Sequence, residues 1–162
     1  MNKKNYPSFV SVFKQKPRAY ALIRGNEFYE ELKGEVWFFE TRIGVIVVTE
    51  VERLPENKDG TSNIFAFHIH EGGSCSGDSD DPFRNALTHY NPDNKPHPYH
   101  AGDLPPIFSA GGKSFSAVLT NRFGVNEIIG KTIIIHSSVD DFTSQPAGNS
   151  GRKIACGEIR LY

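Results

Sequence analysis

The chain has 162 residues, 38% of them hydrophobic and 23% charged. That size and balance predict one soluble globular domain with its own core and exclude a disordered or fibrous protein. Its 18 basic against 19 acidic residues leave a formal net charge of -1, so no overall field recruits nucleic acid or an anionic membrane surface, and a small partner is expected.

Met1 to Val10 holds two lysines but no apolar run behind them. The chain as given therefore shows no secretory signal, and the cytoplasm is the expected compartment, with export open if a leader was removed. Residues 1–17 read as an irregular N-terminal lead-in and residues 18–162 as a single domain. Alternating or β-branched runs predict strands at Ala19 to Ile23, Glu35 to Phe39, Val45 to Val48 and Ile64 to His70. Turn residues separate them at Gly25-Asn26, Gly34, Gly44 and Pro55 to Ser62, with Asp59-Gly60 in its middle. Glu71 to Ala110 is dense in Gly, Pro, Asp, Asn and Ser and reads as a long functional loop. Strands are expected again at Ser114 to Leu119, Thr132 to His136 and Ile154 to Leu161, with a helical turn near Asn126 to Ile129 and a second loop from Ser137 to Gly151. No apolar stretch is long enough to cross a bilayer. The pattern predicts an all-β fold of about eight antiparallel strands, a Greek-key β-sandwich or flattened barrel with two long functional loops.

All chemistry-bearing signals converge on the six histidines. In the Ile64 to His70 strand, period two places Phe65, Phe67 and Ile69 on one face and His68 and His70 on the other, where two imidazoles one pleat apart can grip one ion. His89, His97, His100 and Asp103 form a His-x7-His-x2-His-x2-Asp run. Those nitrogen and oxygen ligands suit a tetrahedral divalent ion, most naturally zinc. His136 ends a strand where it enters a loop. Cys75 and Cys156 lie 81 positions apart, which fits neither a CxxC motif nor a zinc finger; spacing leaves one disulfide or two core thiols open, with thiols favoured in a reducing compartment.

Phe67-His68-Ile69-His70-Glu71, His89-Tyr90-Asn91-Pro92, His100-Ala101-Gly102-Asp103-Leu104, Ile135-His136 with Asp140-Asp141, and Gly148-Asn149-Ser150-Gly151 leading to Ala155-Cys156-Gly157 follow one another in an order that resembles the copper-zinc superoxide dismutase family. The resemblance covers about residues 18–162. It implies an enzyme that turns superoxide into O2 and H2O2. Copper would be held by His68, His70, His89 and His136, and zinc by His89, His97, His100 and Asp103, with His89 as bridging catalytic imidazole. It further implies that Asp140 links a copper-ligand histidine to a zinc-ligand one, that Cys75 and Cys156 form a disulfide, and that a homodimer is possible.

Two departures from the family pattern stand out. Lys153 takes the place of an arginine that orients the anion beside copper; Arg152 precedes it, with its side chain expected to point away. Only Pro98 and Tyr99 separate His97 from His100, so the short connection either rearranges its backbone or leaves one of the two histidines out of the zinc set. A copper- and zinc-binding protein without turnover is the alternative reading. A zinc hydrolase is a third, weakened by the lack of a carboxylate placed as general base.

Overall fold

The computed structural model describes residues 9–56 and 63–162. Eight strands form it: β1 (Ala19–Gly25), β2 (Lys33–Thr41), β3 (Gly44–Glu52), β4 (Ile64–His70), β5 (Asp103–Phe108), β6 (Lys113–Thr120), β7 (Thr132–His136) and β8 (Lys153–Leu161). One short helix, α1 (Val125–Ile128), precedes β7. The sheet order is β5-β4-β7-β8-β1-β2-β3-β6, with each neighbouring pair antiparallel. β5 and β6, at the two ends of that order, approach each other, so the sheet nearly closes into a barrel. The chain crosses from β3 at one side to β4 at the other, which is the Greek-key connection the pattern predicts.

The barrel interior is filled by one face of each strand. Phe65, Phe67 and Ile69 of β4, Ile133 and Ile135 of β7, and Ala155 and Ile159 of β8 all join the main core. His68 and His70 occupy the other face of β4, as period two requires. They are nevertheless buried, because the two long loops cover that side.

β8 then departs from simple alternation. Ile135 pairs with Ala155 but His136 pairs with Lys153, so two steps of β8 oppose one step of β7. This bulge puts both Ile154 and Ala155 into the core and turns Lys153 to the outer face, opposite His136.

Two expectations need amendment. The segment read as loop from Glu71 to Ala110 contains β5; Pro105 and Pro106 hid it, since proline is confined to edge positions, and β5 is an end strand. The lead-in is not wholly irregular: Phe9–Lys14 form a 3-10 helix. Val12 packs with Trp37 against Phe39, Ile46 and Val48 on the barrel exterior. The cysteines form the disulfide that the resemblance implies, Cys75–Cys156, rather than the thiols that spacing alone favours. The Asp59-Gly60 turn lies outside the described residues. Among the described residues no helix is long and apolar enough to cross a membrane.

Candidate metal centre

Every histidine of the chain is buried on one side of the barrel, drawn from β4, β7 and the loop between β4 and β5. His68, His70, His89 and His136 form one group and His89, His97, His100 and Asp103 a second; within each group the potential ligand atoms lie within 4.8 Å of one another. His89 belongs to both. His97 and His100, separated only by Pro98 and Tyr99, both belong to the second group.

The ring orientations are set from outside the two groups. The His68 Nε2–H donates to Asp140 Oδ2 at 2.8 Å and the His97 Nε2–H to Asp140 Oδ1 at 2.8 Å, so one carboxylate ties a residue of each group and leaves both Nδ1 atoms facing inward. The His70 Nδ1–H donates to the Leu87 carbonyl at 2.8 Å, and the His136 Nδ1–H faces the Gly151 carbonyl at 3.4 Å. Their Nε2 atoms, turned inward, stand 3.2 Å apart. His89 Nδ1 lies 2.8 Å from Asp103 Oδ1 and 3.4 Å from His100 Nδ1.

Close backbone approach makes two glycines necessary here. A side chain at Gly102 would strike the Ile69 carbonyl, and one at Gly148 (φ 66°) would strike the Asp140 carboxylate and stand 2.7 Å from His97 Nε2.

Burial pushes His70 and His136 well below the ordinary histidine range, helped by the neighbouring imidazoles. It also lowers His100, and lowers His68 against the opposing hydrogen bond to Asp140. Burial raises Asp140, but hydrogen bonds from His68, the Phe142 N–H and His97 outweigh it and bring the carboxyl down to about 2. Asp103 is likewise lowered, burial being outweighed by the hydrogen bond and charge of His89. His68, His70, His100 and His136 are thus biased toward neutral imidazole, and Asp103 and Asp140 toward carboxylate, the forms that bind metal.

His68 Nδ1 and His89 Nε2 are buried without a hydrogen-bond partner, and His97 Nδ1, whose ring gives its proton to Asp140 through Nε2, faces Asp103 Oδ2 at 3.1 Å as acceptor against acceptor. Orphaned buried nitrogens are costly, and a cation in each group accounts for all three. Four imidazoles suit copper in both oxidation states, and three imidazoles with one carboxylate suit zinc. The residues fit both ions.

Lys153 reaches the same side of the barrel but is not free. Its Nζ donates to Asp81 Oδ2 at 2.8 Å and to the Phe83 carbonyl at 3.0 Å. Arg152, read as pointing away, lines the same cleft of about 1100 Å³ together with His70, His89, His136 and Lys153. Sequence reasoning missed Asp81 and Leu87. Neither carries a local signal, since each acts through a partner distant in the chain.

A nearly closed antiparallel barrel carrying two adjoining cation sites that share one imidazole defines the class: a two-metal β-barrel protein. Residues 32–159 match the family model described as copper/zinc superoxide dismutase. The chain belongs to the copper/zinc superoxide dismutase family. It is 34% identical over 163 residues to superoxide dismutase [Cu-Zn] 2 of Aquifex aeolicus, covering 91% of this chain and 90% of that one. It is 31% identical over 135 residues to superoxide dismutase [Cu-Zn] of Legionella pneumophila, covering 78% of this chain and 77% of the other. The solved Cu/Zn superoxide dismutase from Brucella abortus superposes with a TM-score of 0.72 at 25% identity, over 86% of this chain and 98% of its own.

Proposed function

We propose that the protein is a superoxide dismutase in which His68, His70, His89 and His136 hold copper and His89, His97, His100 and Asp103 hold zinc. The observation that carries this reading is the sharing of His89 between two buried ligand groups. Copper, when bound, supplies one-electron redox chemistry, and zinc supplies charge without redox. The chain supplies the rest. Asp140, Leu87 and Gly151 aim the rings. His89 holds and returns a proton at Nε2, its Nδ1 side being fixed beside Asp103. Two superoxide anions and two protons give one O2 and one H2O2. Lys153, on the outer face opposite His136, draws the anion in. Asp81 holds the ammonium in one place and offsets part of its charge.

Copper and zinc content per chain, measured beside stopped-flow superoxide decay, tests this. Stoichiometric copper without superoxide consumption overturns the enzymatic reading and leaves the metal-binding alternative. Lys153→Ala is expected to slow decay roughly three- to tenfold and to flatten its dependence on ionic strength.

Residues 18–162 form the proposed catalytic domain. A homodimer is the proposed oligomer, which sedimentation decides against the 18.1 kDa monomer mass. For the compartment, the cytoplasmic reading meets an opposing indication, because a disulfide favours an oxidising one; fractionation of source cells decides it.

A further inference from the structure

The connection from His97 to His100 contains only Pro98 and Tyr99, and among the described residues it makes few hydrogen bonds of its own. Tyr99 N–H reaches the Pro96 carbonyl at 2.9 Å, Asp103 N–H reaches the His100 carbonyl at 3.3 Å, and His100 N–H reaches Asp103 Oδ2 at 3.0 Å. Two side chains from other loops complete the order. Arg122, in the turn between β6 and α1, directs Nη1 at the carbonyls of Pro98, His100 and Asp103 at 2.9, 3.2 and 3.0 Å. Its own N–H is anchored on Thr120 Oγ1 at 3.2 Å, where β6 ends. Gln145, in the loop between β7 and β8, pairs with both backbone groups of His97. Its Nε2 donates to the His97 carbonyl at 2.7 Å, and its Oε1 accepts from the His97 N–H at 3.0 Å.

Three carbonyl oxygens aimed at one point repel one another unless a cation stands there, and a guanidinium with its charge fixed at any physiological pH is suited to that place. The backbones of three of the four residues in the second group, His97, His100 and Asp103, are therefore held by partners outside the 97–103 segment. Resting on the zinc reading above, we infer that Arg122 and Gln145 are positioning residues of the zinc site, which hold from outside a ligand segment too short to order itself. Neither touches the ion. Each acts by keeping ligand backbones within the narrow tolerance that a tetrahedral ion demands. The two act on different ends of the segment, Gln145 on His97 and Arg122 on His100 and Asp103. Gln145 shares its loop with Asp140, so the loop that aims the His97 ring also fixes the His97 main chain.

The test is zinc affinity by competition with a chromophoric chelator, joined to the visible spectrum of the protein with one equivalent of cobalt(II) in place of zinc. Arg122→Ala and Gln145→Ala should each lower zinc affinity 10- to 100-fold, the range for such outer partners, and weaken or shift the intense tetrahedral cobalt bands. Arg122→Lys, which keeps the charge but not the fork, should recover part of the loss. If Arg122→Ala does not fold, Arg122→Gln carries the comparison. Variants that match wild type in both affinity and spectrum overturn the inference and leave the zinc reading intact. Wild-type protein that takes up neither zinc nor cobalt at the four residues overturns the zinc reading itself.

Discussion

Leu87 orients His70 through its carbonyl at a cost to its own backbone. Its φ of 62° and ψ of -144° fall in a region that essentially only glycine occupies, while its side chain stays exposed at the cleft. Leu87→Gly should therefore raise the stability of the metal-free protein by about 1 kcal/mol, after the extra freedom of glycine in the unfolded chain is subtracted. Thermal unfolding reads this, and an unchanged or lower Tm would refute the strain. Asp140 accepts from two rings with two oxygens. In Asp140→Asn one of those oxygens becomes a donor, so either His68 or His97 loses its orientation, and metal affinity should fall 10- to 100-fold. Metal retained per chain after dialysis against a chelator measures it; retention equal to wild type would mean that the rings need no such tie.

Among the elements, β4 and β7 were legible because their periodicity is strong: Ile64–His70 and Thr132–His136 have the predicted bounds. β5 was not, because its prolines imitate a loop and its pairing with β4 is the only reason it is a strand. The β8 bulge was also invisible, since nothing local in Arg152-Lys153-Ile154-Ala155 says which side chain turns outward. That choice follows from pairing with β7 and from the burial of Ile154. The Cys75–Cys156 link closes a separation of 81 residues and packs with Phe83, Ala86 and Ile134, tying the first loop to β8. The paired substitution Cys75→Ser with Cys156→Ser should cost about 3 to 4 kcal/mol through the added freedom of the unfolded chain. Urea unfolding of the metal-free protein checks it, and a cost under about 1 kcal/mol would show that the loop is held by its packing alone.

At the scale of the whole molecule, the buried histidines make folding depend on pH. His68, His70, His100 and His136 have folded values below the ordinary 6.5, so the unfolded chain binds more protons as pH falls through 6.5. Stability of the metal-free protein should be flat above that point and decline below it. Asp103 and Asp140 are shifted below 3.8, Asp140 to about 2, so their contribution is present above 3.8 and is lost as pH falls toward 2. Urea midpoints from pH 8 to pH 4 test the histidine part; a midpoint that holds constant to pH 5 would contradict it. The sequence by itself determined the all-β class, the inward and outward faces of β4, and the histidines and aspartate that are candidate ligands. These are matters of periodicity and residue type, which a chain carries locally. Only the tertiary structure decided that His97 and His100 both stay in one group with His89 and Asp103 despite their short connection. The same holds for Lys153, which meets Asp81 instead of standing free, and for Arg122 and Gln145, which hold the ligand backbone. Each of these is a contact between segments remote in sequence, and such contacts exist only once the barrel brings its loops to one side.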